Sequence, residues 1–186
     1  MGDDTLAPVE VPHGVPVFSD GVVTLSGHRG GDIAAHLAGK DEETARRFGW
    51  WPQRSTEATV SAAFARWAAD WESGGPTRAF AARAAATGRL VGGCELRIQP
   101  DGSGHVSYWT GAGHRGNGYA TRALSLLCRY AASIGIAHLE AHVAASNPAS
   151  RRVAEVVGFT ARGTFDDQGE PMIRYARDLP TSGAGG

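Results

Sequence analysis

Arg115-Gly116-Asn117-Gly118-Tyr119-Ala120-Thr121 is the most informative segment of this chain. It joins an apolar run at residues 106–110 to a segment of helical periodicity that begins near Asn117. Glycines let the backbone turn and approach a ligand closely, and the first amides of a helix have no partner within the helix. Arg115 adds a positive charge. The segment predicts either a pyrophosphate site at a helix N-terminus or an ordinary glycine-rich turn between a strand and a helix.

Composition limits the classes of protein to which the chain can belong. With 186 residues and 42% hydrophobic content, it is long enough for one domain with a full core and too short for two ordinary ones. A net charge of -1 with interspersed acids and bases argues against direct binding of nucleic acid or an anionic membrane surface. No targeting segment or apolar span is recognised, so a cytoplasmic protein is expected. Cys94 and Cys128 lack metal-ligand spacing, which predicts buried thiols and no metal.

The N-terminal half predicts a mixture of helices and strands. Residues 1–20 are expected to form an extended or flexible leader, and residues 21–26 a first strand. Asp32 is expected to cap a helix that ends at Gly39, and Asp41 to cap a second one that ends at Gly49. Thr56 opens a clear amphipathic helix, whose apolar stripe is Val60, Phe64, Trp67 and Trp71.

The remaining elements predict an antiparallel meander followed by alternating helices and strands. Strands are expected at 77–85, 89–99 and 105–112, joined by turns rich in glycine. After the helix that follows the glycine loop, a strand at 137–143, a short helix at 150–157 and a closing hairpin at 159–163 and 172–178 are expected. The domain therefore covers residues 21–179, and residues 180–186 are expected to be a disordered tail.

A second glycine pattern overlaps the first. Gly111, Gly113 and Gly116 fit the fingerprint of a dinucleotide-binding fold, with Glu140 at a suitable distance downstream. This alternative predicts a nicotinamide-dependent oxidoreductase. A doubly wound parallel sheet needs several further strand-helix units, whereas only 46 residues follow Glu140.

Several motifs resemble those of the GCN5-related N-acetyltransferases (GNAT). Arg115-x-x-Gly118-x-Ala120 resembles the acyl-CoA loop of that superfamily. Tyr108-Trp109, Asn147-Pro148-Ala149-Ser150 and Val157-Gly158-Phe159 resemble its RimJ/RimL-like branch, which acetylates ribosomal proteins, and the resemblance is strong from about residue 105 to 162.

The resemblance implies a single-domain α/β fold with a mixed, mostly antiparallel sheet of about six or seven strands flanked by helices. Its central strands, 105–112 and 137–143, are expected to splay apart. The implied activity is transfer of acetyl from acetyl-CoA to a primary amine, on a peptide N-terminus or a small molecule, by direct attack. Relatives of this architecture often pair as dimers, so the resemblance leaves a homodimer open. A catalytically idle acyl-CoA-binding or sensing module on the same fold is the alternative.

The resemblance also implies which residues bind acetyl-CoA. Main-chain groups around Trp109 and Thr110 are expected to bind the pantetheine arm, and Asn147 its amides, although Asn147 before Pro148 also fits a simple turn. The amides expected to bind the pyrophosphate belong to Arg115, Gly116, Asn117, Gly118, Tyr119, Ala120 and Thr121.

Three residues are candidates for the catalytic steps. His105 stands where the family often has a glutamate base, and an imidazole titrates near neutrality. Glu95 on the neighbouring strand is the second candidate base, with a surface ion pair as its ordinary alternative; Glu140 ranks third. The resemblance implies that Ser150 protonates the departing thiolate, although it fits equally well as the N-cap of the short helix.

Two positions depart from the catalytic pattern of the family. Ala154 occupies the position at which many relatives carry a tyrosine acid. Cys128 shares a helical stripe with Leu124 and Leu127 and is expected to be core rather than a nucleophile. Trp50 and Trp51 are expected either to line the acceptor pocket or, more often for such residues, to plug a corner between helices.

Overall fold

In the part of the chain that the structure describes, the apolar strand segments pair into one mixed sheet of eight strands. The computed structural model describes residues 14–42, 44 and 55–180. The strands are Phe18–Ser19 (β1), Val23–Ser26 (β2), Thr77–Ala84 (β3), Leu90–Ile98 (β4), Gly104–Thr110 (β5), His138–Ala144 (β6), Thr160–Asp167 (β7) and Glu170–Asp178 (β8). Their order in the sheet is β1-β2-β3-β4-β5-β6-β8-β7. The helices described are Ile33–Gly39 (α1), Glu57–Ser73 (α2), Tyr119–Ser133 (α3) and Pro148–Val156 (α4), with 3-10 turns at Gly30–Asp32 and Ala112–His114.

The sheet is antiparallel except at its centre. There β5 and β6 run parallel and are in register at two positions, Gly104 with Leu139 and His105 with Glu140. Beyond His105 the two strands separate, as expected for the splayed pair. A doubly wound sheet is mostly parallel, whereas every described strand pair here other than β5 and β6 is antiparallel, so the dinucleotide-binding alternative is wrong.

The eighth strand was not predicted. It is β1, in which Phe18 pairs with Leu25 and Ser19 with Thr24. Two residues are too few to show an alternating pattern in the sequence, and they fall within the segment expected to be a leader. The last residues of that segment therefore join the sheet.

Local chemistry explains where the helices begin and end. α2 begins after Thr56, as predicted, because Thr56 Oγ1 accepts a hydrogen bond from the Thr59 amide at 3.2 Å. It ends at Gly74, which has a φ of 70°. α3 begins at Tyr119 rather than near Asn117, since Gly118 has a φ of 72° and cannot belong to the helix.

The two faces of the sheet are covered by different helices. α3 packs its apolar stripe on one face, and the predicted core residues Leu124, Leu127 and Cys128 are buried there. α1 approaches the opposite face, where it contacts β4 and its Gly39 lies against the indole of Trp109 on β5. Successive strand residues point to opposite faces, so neighbouring residues of β5 contact different layers.

The expectation that Asp32 caps α1 is wrong in its chemistry. Asp32 stands at the N-cap position, but its side chain makes no capping hydrogen bond. Its carboxylate instead accepts from Arg83 Nη1 at 2.7 Å and Arg83 Nη2 at 2.6 Å, and from the Arg29 amide at 2.7 Å. Burial raises the pKa of Asp32, but the hydrogen bonds and the charge of Arg83 outweigh it and hold that pKa below its usual range. A buried charge needs this pairing.

Some predictions fall on residues outside the described ranges. Of the helix expected from Asp41 to Gly49, only Asp41, Glu42 and Thr44 are described. Trp50 and Trp51, the leader before Gly14 and the tail after Pro180 lie outside these ranges as well. Among the helices that are described, none has the length and apolarity needed to cross a membrane.

Candidate active site

The segment 115–121 forms a loop that presents backbone donors. Gly116 and Gly118 have φ values of 78° and 72°, in the left-handed region that glycine adopts without strain. α3 has no side-chain cap at its N-terminus. The amides of residues 116–121 donate no hydrogen bond to any residue that the structure describes. The loop and the start of α3 are therefore suited to an anion.

Arg115 is held by an acidic partner that sequence analysis did not find. Its Nη1 lies 2.8 Å from Asp41 Oδ2, its Nη2 lies 2.8 Å from Asp41 Oδ1, and Nη2 also donates to Thr44 Oγ1 at 3.0 Å. The Arg115 guanidinium holds the pKa of Asp41 well below its usual range. Asp41 also accepts from the Thr44 amide at 2.9 Å, which agrees with its predicted role at a helix start. The two residues lie 74 positions apart, so no local pattern links them.

A cleft of about 540 Å³ opens where β5 and β6 separate. One wall is the second half of β5, and the other consists of the end of β6 and the start of α4. The glycine loop closes one end. Among the residues that line it are Tyr108, Trp109, Thr110, Arg115, Gly116, Gly118, Tyr119, Ala120, Thr121, Asn147 and Ser150. The structure thus brings together the residues predicted to bind acetyl-CoA; Asn117, in the same loop, donates from Nδ2 to the His114 carbonyl at 3.1 Å.

The side chains of Tyr108 and Trp109 point away from each other, as alternation requires. Tyr108 lies on the cleft side and contacts the start of α4. Trp109 borders the cleft, but its indole packs beneath α1, with its ring centroid 4.7 Å from that of His36. On the next residue, Thr110 Oγ1 is buried and has no hydrogen-bond partner among the described residues. Thr110 therefore keeps an unused polar atom at the cleft.

The start of α4 is organised by Asn147 rather than by Ser150. Asn147 Oδ1 accepts from the Ser150 amide at 3.0 Å, so Asn147 is the N-cap and Pro148 occupies the first turn. The alternative that Ser150 caps the helix is wrong. The Ser150 hydroxyl instead donates to Tyr108 Oη at 3.0 Å, and Tyr108 Oη donates to the Ser150 carbonyl at 2.9 Å. The cap and the hydroxyl pair together fix the second wall of the cleft.

Two candidate bases lie on the face of the sheet opposite to Tyr108, His105 at the start of β5 and Glu95 on β4. His105 is half-buried, and its Nε2 has no hydrogen-bond partner among the described residues. Its ring centroid is 4.6 Å from that of His142, which was not predicted, and His142 Nε2 lies 3.7 Å from Glu140 Oε2. Burial, and secondarily the charges of His142 and Arg97, lower the pKa of His105. The imidazole is therefore neutral at neutral pH.

Glu95 forms a surface ion pair, which was the alternative to its role as a base. Its Oε1 lies 3.2 Å from Arg97 Nη2. Arg97 is the cross-strand neighbour of His105, and Glu95 is that of Ser107. The side chains of Glu95, Arg97 and His105 therefore lie on the same face of the sheet.

The two cysteines have the environment expected of core residues. Cys94 and Cys128 are buried free thiols. Burial raises the pKa of both, that of Cys128 to about 11. A thiolate nucleophile is disfavoured at both positions. Among the residues that the structure describes, no group of three or more His, Cys, Asp or Glu side chains could hold a metal ion.

A mixed sheet whose single parallel pair opens over a glycine loop and a helix N-terminus is the architecture of an acyl-CoA-dependent acetyltransferase. Residues 23–160 match the family model of the acetyltransferase (GNAT) domain. That match covers well over half of the chain, and the chain belongs to the GNAT acetyltransferase family. No curated protein sequence matches the chain significantly.

Solved structures of this family have the same fold. A RimL ribosomal L7/L12 alpha-N-protein acetyltransferase in complex with coenzyme A aligns with a TM-score of 0.74 and 18% identity, over 91% of this chain and 98% of its own. Spermidine N-acetyltransferase from Vibrio cholerae, in complex with CoA and spermine, aligns with a TM-score of 0.72 and 18% identity, over 86% of this chain and 96% of its own. RimJ from Mycobacterium smegmatis, in complex with a CoA disulfide, aligns with a TM-score of 0.71 and 23% identity, over 92% of this chain and 86% of its own. The predicted resemblance to the RimJ/RimL-like branch is confirmed at the level of the fold.

Proposed function

We propose that this protein transfers the acetyl group of acetyl-CoA to a primary amine, on a peptide N-terminus or a small molecule, by direct attack of the amine on the thioester. The observation that carries the proposal is the cleft between β5 and β6, at whose end the amides of residues 116–121 donate to no residue that the structure describes. Two related structures support it, since the RimL structure contains CoA and the spermidine acetyltransferase structure contains CoA and spermine.

The residues of the cleft fit CoA. The amides of residues 116–121 suit the pyrophosphate, since a helix N-terminus favours anions, and the Arg115 guanidinium, which is paired with Asp41, borders the same end of the cleft. β5 pairs with β6 at only two positions, so main-chain groups around Trp109 and Thr110 on that edge need another partner, which a pantetheine arm with its two amides supplies. Asn147 uses Oδ1 for the cap and keeps Nδ2 for the same arm.

His105 is the base in this proposal. The amine must lose its proton to attack. His105 does not line the cleft and its Nε2 is buried, so in this proposal the proton reaches the neutral imidazole through water. Glu95 is the weaker candidate because its carboxylate is engaged by Arg97. Ser150 stands at the wall of the cleft, where it can protonate the departing thiolate.

The alternative is a catalytically idle acyl-CoA-binding module on the same fold. Ala154 is fully buried, and the position supplies no phenol to the cleft. Such a module would bind acetyl-CoA without releasing CoA to any amine.

We further propose one acetyltransferase domain that ends at about residue 179 in a cytoplasmic protein, with a leader before it and a short tail after it. Because Phe18 and Ser19 pair in the sheet, the domain begins before the predicted residue 21. Neither direct binding of nucleic acid nor attachment to a membrane is part of the proposal, and a homodimer agrees with it.

Replacing Gly118 by valine tests the assignment of the loop. A β-branched residue at a φ of 72° strains the loop and places a side chain among the donors. We expect affinity for acetyl-CoA, measured by calorimetric titration, to fall at least about tenfold, which corresponds to ~1.4 kcal/mol.

Gly102→Val is the matched control. Gly102 has a φ of 83° and open space around it, but lies in the turn between β4 and β5, away from the cleft. It carries comparable backbone strain and is expected to keep full affinity. Equal affinities for the wild-type protein and Gly118→Val would contradict the loop assignment.

A further inference from the structure

The cleft contains a phenol that the proposed function does not use. The family resemblance implies that many relatives carry a tyrosine at the position of Ala154. In this chain that position on α4 is a buried alanine. Tyr108 reaches the same wall of the cleft from β5, and its hydroxyl lies against Ser150. A phenol is thus present in the cleft, but supplied by a different element.

The contact between Tyr108 and Ser150 joins the two walls of the cleft. It consists of two hydrogen bonds, from Ser150 Oγ to Tyr108 Oη at 3.0 Å and from Tyr108 Oη to the Ser150 carbonyl at 2.9 Å. The Ser150 amide is in turn fixed by the Asn147 cap. Both hydroxyl hydrogens can rotate about their C–O bonds, so the direction of donation can reverse when a stronger acceptor enters the cleft.

We propose that Tyr108 and Ser150 form one hydroxyl pair, in which Ser150 protonates the CoA thiolate and Tyr108 restores the proton to Ser150. The inference rests on the proposed acetyl transfer. Tyr108 is a positioning residue, because it acts through Ser150.

The steps balance in atoms and charge. The amine lone pair forms the C–N bond, and the C–S bond breaks with its electron pair on sulfur. Sulfur takes the proton of Ser150 Oγ, Oγ takes the proton of Tyr108 Oη, and the phenolate recovers a proton from water. The amine proton leaves through the base, so the products are an amide and free CoA thiol.

The acidities favour a pair over a lone serine. A thiol has a pKa of about 8.5 and a phenol of about 10, whereas an aliphatic hydroxyl is a much weaker acid than either. Burial raises the pKa of Tyr108, so it stays protonated at neutral pH. If Ser150 acted alone, it would be left as a strongly basic alkoxide, which is unfavourable. When Tyr108 returns a proton to Ser150, the negative charge ends on a phenolate, which is a weaker base.

The test compares Tyr108→Phe, Ser150→Ala and the double variant. Each is expected to bind acetyl-CoA as the wild type does and to lose about a hundredfold in kcat, within the range of general acid catalysis. Because the two hydroxyls form one unit, the double variant should be no slower than the slower single one. Tyr130→Phe removes a phenol of α3 that does not line the cleft and is expected to keep the wild-type kcat.

A change of leaving group separates proton transfer from a merely structural role. An acetyl-CoA analogue with selenium in place of the sulfur expels a selenolate that needs little protonation. The difference between wild type and Tyr108→Phe should shrink to a few-fold with this analogue. A merely structural loss would be the same for both substrates.

Any of three results would overturn the inference and leave the proposed function intact. The first is a wild-type kcat in Tyr108→Phe, and the second is a loss of kcat in the double variant equal to the product of the two single losses. The third is a loss of kcat in Tyr108→Phe that is as large with the selenium analogue as with acetyl-CoA. A wild-type protein that releases no CoA with any amine would instead overturn the proposed function, and this inference with it.

Discussion

Trp109 links the cleft to the opposite face of the sheet through three close glycines. Its main chain lies on the cleft strand, while its indole packs against Gly39 of α1 and Gly93 of β4, and a side chain on Gly92 would collide with its carbonyl. A Cβ added to Gly93 would lie 2.7 Å from Trp109 Nε1 and 3.0 Å from the Phe80 carbonyl. Because the three glycines have no side chains, Trp109 packs closely against them, and this packing fixes its position.

Gly93→Ala is expected to destabilise the protein by about 1–3 kcal/mol, because the indole must move in a packed interior. For a chain of this size, each kcal/mol lowers the melting temperature by about 2–4 °C. Displacement of the strand should weaken binding of acetyl-CoA as well. Thermal unfolding followed by circular dichroism measures the first effect.

Gly113→Ala serves as the control, since no heavy atom lies within 4 Å of an added Cβ and its φ is not in the left-handed region. Its stability should stay within about 0.5 kcal/mol of the wild type. If Gly93→Ala melted at the same temperature as Gly113→Ala, the packing described for Trp109 would be wrong.

At the scale of elements, local signals predicted most of the architecture. The meander β3–β5, the helix after the glycine loop and the closing hairpin follow from alternation, helical periodicity and glycine turns. The loop itself was recognised because its anion-binding groups belong to one continuous segment, residues 115–121.

Contacts between distant segments could not be predicted in this way. The Arg115–Asp41 pair, the Arg83–Asp32 pair and the contact of His105 with His142 each join residues far apart in sequence. Asp32 shows the limit most clearly. Its position before α1 favours a cap, but a buried arginine on β3 competes for the carboxylate and prevails, because an unpaired buried charge costs more than a missing cap.

For the whole molecule, two buried histidines make stability depend on pH. His28 and His36 lie with Phe64 and Trp67 between α1 and α2, and both nitrogens of His28 and Nδ1 of His36 lack hydrogen bonds within the described part of the chain. Burial lowers the pKa of each to about 3. The charge of Lys40 lowers both pKa values further, and that of Arg83 lowers the pKa of His28, whereas the charge of Asp32 opposes the shift at both histidines.

The sign of the pH dependence follows from proton uptake. In the unfolded chain both imidazoles take up protons near their ordinary pKa of about 6.5, while in the folded protein they stay neutral down to about pH 3. The free energy of unfolding therefore falls as the pH drops below about 6.5, by at most ~1.4 kcal/mol per pH unit for each imidazole. Above that pH the two histidines contribute no pH dependence.

Urea unfolding at about pH 7.5, 6 and 5 measures this slope, in a range above that in which the carboxyls titrate. His28→Leu keeps an apolar side chain between Phe64 and Trp67 and removes one titrating group, so its stability should fall less steeply with acid. The same slope in the variant as in the wild type would show that His28 does not titrate on unfolding.

Release of CoA thiol from acetyl-CoA, measured against a panel of primary amines that includes N-terminal peptides and polyamines, tests the central claim most directly. The account predicts release above background that depends on the amine and saturates with it. Binding of acetyl-CoA without release across the panel would contradict transfer and favour the idle module, and absence of any binding would contradict the assignment of the cleft itself.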